Sequence, residues 1–153
     1  MRRHDKEITD QDTIKQILKE NTVCRIALCD NDTPYIVPMN YGFDEINIYL
    51  HCAKEGKKLD IIKENSRVCF EVTDSAETVT SDKACGYGTR YRCVIGQGRI
   101  ALVDSAEEKI QALNIIMKQH TGKADWDYDP SVVEKITVLK ITAESITGKI
   151  SGF

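Results

Sequence analysis

The chain has no apolar run near the ~18–20 residues that a membrane-spanning helix requires, so no membrane is expected. Its start, MRRHDKEITD, is charged and lacks an apolar signal region, which points to a cytoplasmic protein. It has no excess of positive charge. Against 24 Asp plus Glu stand 21 Lys plus Arg, the net charge is -3, and a generic nucleic-acid coat is excluded. It has three prolines, no low-complexity stretch and no internal repeat, so residues 1–153 are expected to form one domain. None of the cysteines at 24, 29, 52, 69, 85 and 93 falls in a CxxC pair, and there is no HExxH. A zinc site is not expected. The cysteines lie mostly in apolar runs and are expected to be reduced, mostly buried thiols. No Walker motif, GxSxG elbow or paired-carboxylate signature occurs. Gly86-Tyr87-Gly88 and Gly96-Gln97-Gly98 lack the helix that a dinucleotide-binding fold needs next.

What is present is a normal folded composition, 41% hydrophobic and 29% charged. Thr9-Asp10-Gln11-Asp12 opens a helix carrying Ile14, Ile17 and Leu18 at helical spacing. VCRIALCD, TPYIVPMNYGF and EINIYLHCA read as consecutive strands turning at Asp30-Asn31-Asp32 and Asp44-Glu45. Tyr35, Val37, Met39 and Tyr41 share one face, as do Ile46, Ile48 and Leu50. EGKKLDIIKEN is a short helix and RVCFEVTD a strand. Residues 75–90 read as a mobile polar loop. YRCVIGQGRIALVD is a strand bent or bulged at Gly96 and Gly98. Ser105-Ala106-Glu107-Glu108 caps a helix that closes near Gly122, and TVLKITAESITGKI ends the chain as one or two strands. Consecutive strands without strict strand–helix alternation predict a mainly β fold. The expectation is an antiparallel barrel of about six or seven strands with peripheral helices.

Three features carry chemistry. Pro38 donates no ladder bond, so its strand is an edge or bulged there, and nearby backbone groups are free to face a ligand. After the strand ending at His51, Gly56 turns the chain into a helix opened by Lys57 and Lys58. Cations in a first helical turn oppose the macrodipole by about 0.3–1 kcal/mol each. A bound phosphate reverses that sign; the alternative is a solvated basic turn. His51 is either a structural residue or an acid–base group. In Tyr91-Arg92-Cys93, the arginine faces either solvent or a site.

The order PYIVPMNYGF, IYLHCAKEGKKLDIIKENSRVCFEV, YRCVIGQGRI, DSAEEKIQALNIIMKQHTG and VLKITAESITGK resembles a known family. It is similar to the Nim-type (5-nitroimidazole resistance) branch of the pyridoxamine-5′-phosphate-oxidase-like, FMN-binding split-barrel proteins. The resemblance spans roughly Ile8 to Lys149 and is most specific from His51 through the VCFEV strand. It implies an FMN-binding split barrel, a homodimer with flavin at the interface, and FMN as cofactor, with FAD possible. It implies that the backbone of Val37, Pro38, Met39 and Asn40 lies along the flavin ring. Lys57 and Lys58 would hold its phosphate, with Tyr91, Arg92 and Cys93 as a second wall. Cys93 stands where many relatives carry serine, and a thiol is the weaker hydrogen-bond partner. His51, beside the flavin, would be the catalytic proton donor, its ordinary pKa of ~6.5 suiting that role.

The implied chemistry is reduction of a small acceptor such as a nitroimidazole or nitroaromatic group. The alternative is a flavin- or haem-binding carrier or sensor without turnover. A pyridoxamine-phosphate oxidase proper ranks lower, because the chain lacks the additional arginine and histidine constellation for a substrate phosphate.

Overall fold

Alternation of apolar residues at every second position turns the predicted runs into strands in the computed structural model, which describes residues 2–153. The order is β1 (Glu7–Ile8), α1 (Gln11–Glu20), β2 (Val23–Asp30), β3 (Thr33–Phe43), β4 (Asn47–Ala53), α2 (Lys57–Glu64), β5 (Arg67–Val79), β6 (Gly88–Val103), α3 (Ala106–Thr121), α4 (Pro130–Val133) and β7 (Ile136–Ser151). The sheet runs β1-β7-β4-β3-β2-β5-β6, and a further β6–β7 pairing closes it into a barrel. Every pairing is antiparallel.

One face of each strand fills the barrel. Ile26, Tyr41, Leu50, Phe70, Val72, Val94, Ile100, Leu139 and Ile141 are all buried there. Burying one such large apolar side chain is worth roughly 1.5–3 kcal/mol. α1 adds Ile14, Ile17 and Leu18 to this core, and α2 adds Leu59, Ile61 and Ile62. α3 packs outside on β3 and β4. Gly42 makes the close approach possible, since a Cβ there would run into the backbone of Ile115 and Ile116. A second apolar cluster, Val103, Ala112, Leu113, Val133 and Val138, lies under α3 and α4.

The helix starts follow their side chains. Asp10 caps Thr13 N–H, Ser105 caps Glu108 N–H, and Asp129 caps Ser131 N–H. Gly122 ends α3 in the left-handed conformation at φ 75°. The glycine bend in β6 is a register shift against β7 between Gln97 and Gly98, where a Cβ on Gly98 would meet the Thr142 carbonyl.

Three expectations are corrected. Half of residues 75–90 are strand rather than loop. Past a register shift between Thr73 and Ser75, Glu77, Thr78 and Val79 pair with Arg90, Thr89 and Gly88, extending the β5–β6 hairpin. β-branched Thr78 and Val79 favour that pairing despite the polar composition. Ile46 does not join Ile48 and Leu50 inside; it sits at the hairpin tip, 71% exposed. Of the six cysteines, all free thiols, only Cys24 is buried; Cys29 and Cys85 are exposed, and Cys52, Cys69 and Cys93 half-buried.

Candidate functional site: the split between β3 and β4

Two hydrogen bonds fix which way each backbone group of β3 points. Tyr41 N–H donates to Thr22 C=O at 3.1 Å, toward the β2 side. Asp44 N–H donates to Asn47 C=O at 3.2 Å, toward β4. By alternation, the backbone groups of Pro34, Ile36, Pro38 and Asn40 face the β4 side, while those of Tyr35, Val37 and Met39 bond β2. Yet β3 pairs β4 only over Tyr41, Gly42 and Phe43. From Asn40 back to Pro34 that edge is open. The facing edge of β4 is open as well, with the backbone of His51 and Ala53 turned toward it, beyond the Leu50–Tyr41 pair.

The barrel is therefore split between β3 and β4. Both prolines stand where an N–H would point into the split, so neither costs a ladder bond. The expected interruption at Pro38 is there, but it belongs to the β4 side alone. The β2 ladder runs past it unbroken through the Arg25–Pro38 pair. Ile36 and Asn40 present N–H donors to the opening, and the carbonyls of Pro34, Ile36, Pro38 and Asn40 line it too.

α2 begins just past the open end of β4. Its N-terminal residue Gly56 has φ 136°, a conformation reserved for glycine, and nothing within 4 Å would meet a Cβ there. It offers no side-chain cap, in contrast to the other three α-helices. The Gly56 carbonyl accepts from Leu59 N–H at 2.8 Å, which leaves Lys57 and Lys58 N–H without intrahelical partners. The two lysines then differ. Lys57 Nζ lies 3.3 Å from Asp30 Oδ2 and 5.5 Å from the Tyr35 ring centroid. Lys58 is half-buried and has no ion pair among the described residues. Its charge reaches Cys52, whose thiol is pushed up by burial and pulled back by Lys58.

His51 ends the split on the β4 side. Its side chain is exposed, on the face that carries Tyr49 rather than the one that carries Leu50 and Cys52, and it has no hydrogen bond among the described residues. Val37 and Met39 point their side chains toward the core, half-buried and buried, and spend their backbone groups on β2; Pro38 and Asn40 are exposed.

Tyr91, Arg92 and Cys93 do not converge on this place within one chain. His51 registers with Val138, and Tyr91 with Ser151, separated along β7 by about 40 Å of strand at ~3.3 Å per residue. Arg92 also faces the opposite way from its two neighbours. Its Nε and Nη2 hold Asp74 Oδ2 at 2.8 and 2.6 Å, and Asp74 Oδ1 accepts from Asn21 Nδ2 at 3.1 Å. Asn21 C=O in turn accepts from Gln119 Nε2, and Gln119 Oε1 accepts from Phe43 N–H at 2.8 Å. This chain ties α1, β5, β6 and α3 together, a role for Arg92 that sequence reasoning missed because Asp74, the last residue of the RVCFEVTD run, lies 18 positions away. Tyr91 lies under Lys149, whose Nζ is 5.3 Å from its ring centroid. The half-buried Cys93 thiol is pushed up by burial and by Glu71, against the pull of Lys149.

A cleft lined by Cys29, Asp30, Asn31, Asp60, Glu64 and Asn65 beside Lys57 is acidic and unsuited to a phosphate. No group of three or more metal-ligating side chains occurs among the described residues, and no helix is long and apolar enough to cross a membrane.

The split can take a flat polar ring against its open backbone edges and an anion at α2. The residues present fit a flavin phosphate: Lys58 lacks a counter-ion, and the helix start beside it lacks a cap.

Comparison with known proteins gives the family and the fold. The family model for pyridoxamine 5′-phosphate oxidase matches residues 10–150. A candidate 5-nitroimidazole antibiotic resistance protein from Bacteroides thetaiotaomicron is similar at 30% identity. The match covers 94% of this chain and 86% of that one, with a TM-score of 0.84. The flavocytochrome Anf3 from Azotobacter vinelandii, at 18% identity, covers 100% of this chain and 72% of its own, with a TM-score of 0.84. An FAD- and haem-binding protein from Mycobacterium smegmatis, at 15% identity, covers 97% and 74%, with a TM-score of 0.83. An uncharacterized protein from Rhizobium meliloti is 21% identical over 116 residues, 73% of this chain and 70% of that one. The Azotobacter and Mycobacterium proteins share the fold; what they bind is theirs.

Proposed function

The chain belongs to the pyridoxamine 5′-phosphate oxidase family, and on that premise we propose that it is an FMN-dependent reductase of a small acceptor such as a nitroaromatic compound. The observation that carries this reading is the open β3–β4 split ending at an uncapped helix start with an unpaired lysine. Once bound and reduced by an electron donor, FMN would pass on the electrons that a nitro group needs on its way toward the amine.

The chain's own residues bind and orient. Lys58 and the N–H groups of Lys57 and Lys58 hold the phosphate by charge-assisted hydrogen bonds. Ile36 N–H and Asn40 N–H are fixed donors along the ring, the kind of dipole that stabilises negative charge without reorganising. His51, exposed and unpartnered, delivers a proton to the acceptor.

The protein acts as a homodimer. The outer sheet face is uncovered by any helix across two cross-strand rows, Ile36–Ala27–Cys69–Gln97–Ser145 and Pro38–Arg25–Glu71–Ile95–Thr147. Ile36 is 65% exposed and Ile95 41%. A second copy on this face supplies the Tyr91–Cys93 segment that lies too far away within one chain. Yellow protein whose released cofactor has the mass of FMN, with anaerobic turnover of a nitroimidazole, is the expected result; colourless protein without flavin affinity overturns the reading.

The free His51 imidazole favours one alternative, a haem- or flavin-binding module without turnover. A Soret band on haem titration that disappears in His51→Ala, with no nitroreductase activity, would establish it.

A further inference from the structure

We propose that Asp30 is a positioning residue that tunes flavin affinity: its carboxylate and the flavin phosphate compete for one ammonium group, that of Lys57. This rests on the flavin reading above. Asp30 is the last residue of β2, and its place does not depend on Lys57. It pairs with Thr33 across the hairpin, whose turn residue Asn31 takes the left-handed conformation at φ 53°. Asn31 Nδ2 donates to Asp30 Oδ1 at 3.3 Å, while Asp30 Oδ2 meets Lys57 Nζ, also at 3.3 Å. The Tyr35 ring centroid lies 5.5 Å from the same Nζ. The carboxylate is thus a fixed counter-charge, and the flexible lysine stem comes to it.

Lys57 is the moving part. Its backbone opens α2, beside the N–H groups that have no intrahelical partner, while its side chain leans to the acidic cleft of Asp30, Asp60 and Glu64. Both members of the pair are open to water, 40% for Asp30 and 55% for Lys57, so solvent screens it and it is weak. A phosphate carries more charge than a carboxylate and accepts from several donors at once. Lys57 therefore trades the weaker partner for the stronger. Only the fraction of molecules in which Lys57 has left Asp30 can offer both ammonium groups, and apparent affinity falls by that fraction. Lys58 has no acid within 4.0 Å among the described residues and bears no such cost. The same carboxylate therefore explains why two adjacent lysines contribute unequally.

The test titrates FMN, and riboflavin, which lacks the phosphate, by flavin fluorescence. The proteins are wild type, Asp30→Asn, Lys57→Ala and the double variant, with melting temperatures as the check on folding; Asp30→Ser takes the place of Asp30→Asn if that variant does not fold. Asp30→Asn is expected to bind FMN about 2–5-fold more tightly and riboflavin as the wild type does. Asp30→Glu should keep the wild-type affinity. In the Asp30→Asn background, Lys57→Ala should weaken FMN by about tenfold or more, a larger loss than the same substitution causes in the wild type. FMN affinity unchanged or weakened in Asp30→Asn overturns the competition, as does an equal tightening of riboflavin. An equal Lys57→Ala loss in both backgrounds shows that Asp30 does not act through Lys57 and also overturns it. Each of these outcomes leaves the flavin reading intact. Wild-type protein that takes up neither flavin removes that reading and the competition with it.

Discussion

Lys57 Nζ lies 3.3 Å from Asp30 Oδ2, so the first residue of α2 is tied to the β2–β3 turn while Lys58, one residue on, is left without an acid. Two adjacent lysines that look interchangeable in sequence thus have different work. Lys58→Ala is expected to weaken FMN binding by about 10–100-fold, the equivalent of ~1.5–3 kcal/mol for a charge-assisted bond. Lys57→Ala should weaken it less and shift the melting temperature only slightly, because an exposed pair is worth about 0–1 kcal/mol. Fluorescence titration of both variants checks this, and an equal effect of the two would remove the distinction.

The outer face gives a second prediction. Ile36→Asp with Ile95→Asp puts charge in place of the two exposed isoleucines of the uncovered rows. Sedimentation should show a dimer for the wild type and a monomer for the variant, and FMN affinity should fall in parallel. A variant that still sediments as a dimer assigns the interface to another surface.

Acid sensitivity should concentrate at the β3–β4 hairpin. Burial pushes the Asp44 carboxyl up, but the N–H groups of Asn47 and Ile46, the Tyr49 hydroxyl and the Asn47 amide outweigh it and hold the carboxyl below its usual range. The folded value lies below the unfolded ~3.9, so this contribution is complete above ~3.9 and is lost as pH falls through the folded value. Asp44→Asn should narrow the gap between melting temperatures at neutral pH and near pH 3; an unchanged gap would place the acid sensitivity elsewhere. Tyr49 works at the other end. Burial, then Asp44, push its phenol up to about 12, so stability should decline as pH rises from ~10 toward that value.

Thiol chemistry separates the cysteines by place. Cys24 is fully buried and burial pushes it up to about 12, whereas Cys85 and Cys29 are exposed. The Cys29 thiol donates to Asn31 C=O at 2.7 Å. Alkylation of native protein followed by mass spectrometry should label Cys85 first, then Cys29, and Cys24 only after unfolding. Labelling of Cys24 at the rate of Cys85 would contradict the burial.

Much of this was legible in the sequence for local reasons. Ser105, Asp10 and Gly122 mark helix ends through their own hydrogen bonds and backbone preferences, and the alternation of Tyr35, Val37, Met39 and Tyr41 points one face inward. Pro38 signalled an interrupted ladder, and Pro34, an even number of residues away, carried the same information unread. What was not legible depends on distant partners. Nothing adjacent to Arg92 announces Asp74, and nothing in Lys57 announces Asp30. The polar run 75–90 hid a ribbon because its pairing partner is itself.

The two prolines on the open edge of β3 have a consequence for the protein's life in a crowded solution. A permanently exposed strand edge invites a strand from another molecule to zip onto it, the first step toward fibrils. Here every second donor on that edge is deleted, leaving the Ile36 and Asn40 amides about 13 Å apart at ~3.3 Å per residue, twice the spacing a β ladder uses. A foreign chain finds too few rungs to polymerise, while a small planar molecule, which needs only one or two, is still welcome.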